Sequence, residues 1–120
     1  MKLLIDTKII IFLLNGNERL TDLLNGIEIC VSVISEIECL AYPGISEDEK
    51  EGIKSFLQEC TIVGLTNEVK EFTIDLRTKY RLKLPDSIIA ASAMSSSLTF
   101  MSADHDFSKI EELDFVGFEV

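Results

Sequence analysis

Four acidic residues, Asp6, Glu38, Asp86 and Asp104, could do chemistry together if the chain brings them to one place. Asp6 follows the apolar run Lys2-Leu3-Leu4-Ile5, and Asp104 comes shortly after Leu98-Thr99-Phe100-Met101. Glu38 falls within an expected helix and Asp86 at the start of another. A group of carboxylates repels itself, and folded proteins keep one mainly where a divalent cation neutralises it. Mg²⁺ and Mn²⁺ suit such a set because they prefer oxygen ligands and retain several waters. An ion held this way polarises a phosphoryl oxygen and acidifies a bound water, so no histidine, cysteine or serine nucleophile is needed. The implied chemistry is metal-dependent hydrolysis of a phosphodiester.

Each acid also has a structural explanation. Asp6, Asp86 and Asp104 all precede expected helices, and Asp is a favoured N-cap. Asp106 either assists Asp104 or starts the helix at Phe107. Glu38 is harder to explain as a surface acid. At 3.6 residues per turn it shares a face with Ile34, whereas Glu36 is expected to face solvent. An acid on a half-apolar face needs a partner, whether a metal, a hydroxyl or a lysine.

The elements that must position these acids alternate between strand and helix. Apolar runs predict strands at 2–5, 28–31, 61–65, 98–101 and 115–118. Helices are expected at 8–14, closed by Asn15-Gly16, and at 18–24, closed by Asn25-Gly26. Another runs from the Ser32 cap region to Ala41, where Pro43-Gly44 stops the chain. Ser46 with Glu49 is a capping-box pattern opening a helix to about Gln58, with Ile53, Phe56 and Leu57 on its apolar face. Thr66 caps a helix expected to bury Val69, Phe72, Ile74 and Leu76. Asp86 opens one whose Ala90, Ala91, Ser92, Ala93 and Ser95 permit close approach, and a short helix is expected at 107–113. Apolar strands separated by helices predict a parallel sheet covered on both faces. Ligands of such sheets bind beyond the carboxyl ends of strands, where the strand order reverses. Asp6 and Asp104 fall just beyond such ends.

The composition is consistent with one domain over residues 1–120. A hydrophobic fraction of 47% suits a packed core, and a net charge of −10 argues against a broad nucleic-acid surface. It leaves room for a small site where metal ions supply the positive charge, and it favours a basic protein partner. Cys30, Cys39 and Cys60 have no ligand spacing and read as buried free thiols of a reducing compartment. One histidine, His105, excludes a multi-histidine zinc site. The N-terminal apolar stretch is interrupted by Asp6 and Lys8 and is too short to cross a bilayer, so no membrane association and a cytoplasmic location are expected. The only basic cluster is Arg77, Lys79, Arg81 and Lys83, leading directly to Asp86. It reads either as a solvated helix C-terminus or as RNA phosphate contacts.

Four segments carry a family resemblance: Leu4-Ile5-Asp6-Thr7, Ser32-Val33-Ile34-Ser35-Glu36-Ile37-Glu38, Leu84-Pro85-Asp86-Ser87-Ile88-Ile89-Ala90-Ala91, and Ser102-Ala103-Asp104-His105-Asp106-Phe107. In order and spacing they resemble the four motifs of PIN domains, and the overall length is similar to VapC-type toxins of toxin–antitoxin pairs. The resemblance implies an α/β/α sandwich with a central parallel sheet. It also implies Mg²⁺- or Mn²⁺-dependent endoribonuclease activity, homodimers, and inhibition by a cognate antitoxin. By motif, Asp6, Glu38, Asp86 and Asp104 match the family acids, with Asp6, Asp86 and Asp104 the expected metal ligands. Thr7, Ser102 and Asp106 are supporting residues, and Glu36 is the alternative second acid. Two positions depart from the family pattern. Ser102 stands where Thr is frequent, and Lys8 stands where Asn usually follows the Asp-Thr pair. A lysine there either replaces part of a metal's charge or carries its ammonium to solvent or substrate. The first case would make the chain a catalytically weak PIN-like module acting mainly through protein binding. Phosphotransfer folds also set Asp at strand ends, but the dehalogenase type needs a second Asp where Lys8 stands.

Overall fold

The computed structural model describes residues 1–119. Five strands, β1 (Lys2–Ile5), β2 (Glu28–Ser32), β3 (Thr61–Val63), β4 (Thr99–Ser102) and β5 (Phe115–Gly117), form one sheet in the order β3-β2-β1-β4-β5. Every pairing is parallel. Six α-helices connect them: α1 (Thr7–Leu14), α2 (Glu18–Leu24), α3 (Val33–Leu40), α4 (Glu47–Gln58), α5 (Asn67–Tyr80) and α6 (Leu84–Ser95). A 3₁₀ turn at His105–Lys109 joins β4 to β5. The chain lays β2 and β3 to one side of β1, then crosses back to place β4 on the other. The strand order therefore reverses between β1 and β4, where parallel α/β sheets bind ligands.

The alternation of side chains along the strands divides the core into two layers. Leu4, Cys30 and Phe100 are paired across the sheet and face one cluster with Val69, Leu76, Ile89 and Ala93 of α5 and α6. Leu3, Ile5, Val31 and Met101 face the other, with Ile9, Ile10, Leu20, Cys39 and Leu57 from α1 to α4. Helix α6 is buried from Ser87 through Ala93, as its small residues anticipate. Leu20 and Leu24 belong to the core, whereas Leu14 and Leu23 are exposed. The helix starts rest on the expected caps. Ser46 and Glu49 form a full capping box, Thr66 Oγ1 accepts from Val69 N, and Ser32 Oγ accepts from Ile34 N. Gly16 and Gly26 take positive φ angles of 90° and 78° after α1 and α2, which is why each follows Asn at a helix end.

Several expectations are corrected. Ile74 is 64% exposed, while Thr73 is buried and donates to Val69 O. The buried stripe of α5 runs Val69, Thr73, Leu76, and Ile74 falls outside it because five residues advance a helix by about 140°. Phe72 is only half-buried. β3 ends at Val63, leaving Leu65 exposed. The helix expected at 107–113 is instead the 3₁₀ turn at His105–Lys109, pinned by Phe107 edge-on to Phe100 at 4.9 Å. Such a pair contributes about 0.5–1.5 kcal/mol beyond the area it buries. α6 begins at Leu84, two residues before Asp86, because Pro85 suits the first turn of a helix.

Candidate functional site

Asp6 extends β1 by one residue, its N–H donating to Met101 O across the switch point. Its carboxylate is 8% exposed and is held at both oxygens. Oδ1 accepts from Thr7 N and so caps α1, while Oδ2 accepts from the Ser102 hydroxyl at the end of β4. Burial nevertheless pushes the Asp6 carboxyl above its ordinary range, opposed by those two hydrogen bonds and reinforced by the charges of Asp86 and Glu38. Ser102 is wholly buried and does two jobs, because its oxygen also accepts from Asp104 N at 3.0 Å. One hydroxyl thus ties the first acid to the backbone of the last.

Glu38 lies on the second turn of α3 and is exposed, a correction to the half-buried position expected. It has the hydroxyl partner that its apolar neighbours called for. Thr7 Oγ1 donates to Glu38 Oε1 at 2.6 Å and lies 2.9 Å from the buried Ser35 hydroxyl. Glu36 is half-buried, less exposed than Glu38, and is not among the charges acting on Asp6 or Asp86. Asp86, in the first turn of α6, caps nothing. Lys83 occupies the cap position with no side-chain hydrogen bond, so the capping explanation fails for Asp86 and holds for Asp6 and Asp104. Burial raises the Asp86 carboxyl, and Asp104 and Glu38 add to this while Lys83 opposes it. Asp104 Oδ1 accepts from Asp106 N at 3.0 Å, and both acids are exposed at the 3₁₀ turn.

The four acids therefore share one electrostatic neighbourhood at the carboxyl edge of the sheet. Among the described residues, no three ligating side chains converge into a ready-made metal cage. The donor set is all oxygen, and the Asp6 carboxylate is already engaged by hydrogen bonds. That fits a hard ion of the Mg²⁺ class, which keeps most of its waters and needs one or two carboxylates rather than an all-protein cage. Lys8 is exposed, makes no ion pair among the described residues, and is not among the charges acting on Asp6.

The basic cluster divides. Arg81 and Lys83 line a cleft of about 220 Å³ together with Asp86, Asp104, Asp106, Phe107 and Lys109. Arg77 does not line it, and Lys79 is drawn away into an ion pair with Glu112 at 3.3 Å. Sequence reasoning missed two residues beside the acids. Ser35 is detectable as the residue three before Glu38, which puts both on one helix face. Lys109 has no local signal, because only the 3₁₀ turn carries it to the cleft. The cysteines are free, with Cys39 and Cys60 pushed up to about 11 by burial, and take no part in the site. His105 is a surface residue paired with Glu119 and packed on Gly117, where a Cβ would stand 2.5 Å from its ring. A larger apolar groove of about 490 Å³ lies elsewhere, lined by Ile10, Ile11, Leu14, Tyr42, Ile45 and Ile53 among others.

The PIN domain family model matches residues 3–113. The chain belongs to the PIN domain family. Solved structures agree with it over nearly its whole length. A toxin–antitoxin complex from Klebsiella pneumoniae contains a chain 26% identical, with 98% of each chain covered and a TM-score of 0.85. VapBC2 from Rickettsia felis, bound to a DNA fragment from its promoter, gives 19% identity, 99% of this chain, 100% of that chain and 0.84. FitAcB from Neisseria gonorrhoeae gives 20%, 96% of both chains and 0.82. No curated protein sequence matches significantly. This PIN domain has the architecture of VapC-type proteins: a five-stranded parallel sheet flanked by helices. Among its described residues no helix is long and apolar enough to cross a membrane.

Proposed function

We propose that this PIN domain is a Mg²⁺- or Mn²⁺-dependent endoribonuclease, the toxin of a toxin–antitoxin pair acting on cytoplasmic RNA. The observation that carries the reading is the gathering of four carboxylates at the strand-order reversal, two of which, Asp6 and Asp86, are raised by burial and by the charges of neighbouring acids. Maintaining such repulsion destabilises the apoprotein, and a cation at the same place relieves it. In this reading Asp6, Asp86 and Asp104 would hold the ion, in part through the waters it retains. When bound, it polarises the scissile phosphoryl group and acidifies the attacking water. Glu38 orients that water and takes its proton, kept in position by Thr7 and, behind it, Ser35. Ser102 fixes the Asp6 rotamer and accepts from the backbone of Asp104, and the backbone N–H of Asp106 steadies the Asp104 carboxylate.

The reading of a decayed, binding-only module depends on Lys8 neutralising the acids, and the exposed lysine gives it no support. A cognate antitoxin is the expected partner, since the structural neighbours include toxin–antitoxin complexes. The apolar groove beside α1 and α4 offers such a partner a surface to cover. Tyr42 is 59% exposed at its rim, and Tyr42→Glu is expected to weaken co-purification with the antitoxin without loss of cleavage. Homodimerisation is tested by sedimentation of the purified protein. The direct test of activity is cleavage of mixed structured RNAs with Mn²⁺, with chelator, and by Asp86→Asn. Cutting that needs the metal and is lost in the variant supports the reading.

A further inference from the structure

We infer that Arg81, Lys83 and Lys109 seat the RNA backbone phosphate next to the scissile one, so that the substrate is gripped on the Asp86–Asp104 side of the acids only. The inference rests on the nuclease reading and adds to it a direction and a residue, Lys109, that the linear basic cluster did not contain.

The charge distribution is the first argument. The chain has 11 lysines and arginines against 21 acids, yet three of these cations line one cleft of about 220 Å³. Lys2, Lys54 and Lys79 are spent on ion pairs, whereas Arg81, Lys83 and Lys109, like Lys8, Lys50, Lys70 and Arg77, form none among the described residues, and only these three of the unpaired cations line the cleft. Unpaired cations sharing a cleft with carboxylates leave N–H groups available for an anionic ligand, and a sugar–phosphate backbone is the anion that nuclease chemistry brings. At the opposite end, neither Asp6 nor Glu38 is in an ion pair among the described residues, and neither lines the cleft.

The backbone is the second argument. Arg81 closes α5 in the left-handed conformation, with φ 56° and ψ 35°. A helix ends this way most readily with Gly, and a residue with a side chain is strained there. This turn of the backbone separates Arg81 and Lys83, which line the cleft, from Arg77 and Lys79, which do not. The two cleft walls are also fastened to each other. Tyr80, the last residue of α5, donates its hydroxyl to Glu112 and accepts from Glu111 N at 3.2 Å, and Lys79 pairs with Glu112. This latch holds the Arg81 wall at a fixed spacing from the wall carrying Lys109.

The test compares Arg81→Gly and Lys109→Ala with the unaltered protein. Arg81→Gly relieves the left-handed strain, so its thermal midpoint is expected to hold or rise, which separates a binding defect from a folding defect. Affinity for a short single-stranded RNA, read by fluorescence anisotropy in chelator, should fall about tenfold in each variant. The slope of log affinity against log salt should shrink by about 0.7 per cation removed. With Mn²⁺, KM for a tetranucleotide should rise at unchanged kcat, while a dinucleotide, which has no neighbouring phosphate, should be cut as before. Unchanged RNA affinity and KM in variants of a protein that does cut RNA overturn the inference and leave the nuclease reading standing. An unaltered protein that neither binds nor cuts RNA removes both.

Discussion

The two ends of the acidic site are built in opposite ways. Around Asp6 and Glu38 hydrogen bonds hold both acids: Ser102 and the Thr7 backbone engage Asp6, the Thr7 hydroxyl joins Glu38 to the buried Ser35, and no cation takes part. Around Asp86 and Asp104 neither carboxylate is as buried as Asp6, hydrogen bonds are few, and three cations line an open cleft with them. The first end is preorganised, since its rotamers are locked before any ligand arrives. The second is adaptable, with charges that find partners only when a ligand enters. In the proposed reading, the hydrogen-bonded end aligns the metal and the water, and the cations of the other end catch the flexible polyanion.

The largest expected effect breaks the electrostatic link between the ends. Asp86→Asn should lower cleavage by about two to three orders of magnitude, the scale for losing one transition-state charge contact. The same change should raise stability at neutral pH. A carboxyl whose folded pKa is raised binds more protons in the native state than in the unfolded state. Its cost to stability therefore appears as pH rises from the ordinary value of 3.8 through the raised one and persists above it. The stability gain of the variant should accordingly vanish in acid, which thermal melts across pH will show. Adding Mn²⁺ should raise the melting point of the unaltered protein and not that of the variant.

Next in size, Ser102→Ala removes the hydroxyl shared by Asp6 and the Asp104 backbone. A loss of about 10- to 100-fold in Mn²⁺ affinity by calorimetry is expected, the range for supporting hydrogen bonds to a metal ligand. Thr7→Val, which frees Glu38 at the preorganised end, should cost about tenfold in kcat with little change in RNA affinity, on the lower scale of acid–base contributions. The smallest effect is expected at Lys8→Asn. An exposed, unpaired lysine should leave Mn²⁺ affinity unchanged and stability within about 0.5 kcal/mol. Tighter metal binding in that variant would show that Lys8 reaches the acids after all.

The preorganised end was largely legible in the sequence. Asp6 follows an apolar strand directly, so its position comes from a local pattern that a parallel sheet makes spatial. At the adaptable end the same pattern marked Asp104, two residues beyond β4, and little else. Asp86 looked like a cap because the helix was expected to open there, but proline favours the first turn and the helix starts at Leu84. The basic cluster looked continuous, yet α5 terminates within it at the left-handed Arg81, which sends Arg77 and Lys79 elsewhere than Arg81 and Lys83. Lys109 belongs to a 3₁₀ turn fixed by Phe107 on Phe100, a tertiary contact with no periodicity to reveal it. Glu38 was singled out by its apolar neighbours, although its partner turned out to be a hydroxyl on another helix.

The central claim is that the coupled acids form a metal-dependent centre for RNA cleavage, and incubating structured RNA with the purified protein tests it most directly. Mn²⁺, chelator, and Mn²⁺ with Asp86→Asn are the three conditions. The account predicts cutting in the first alone. Equal cutting in all three, or none in any at a Mn²⁺ concentration shown to bind the protein, would contradict it.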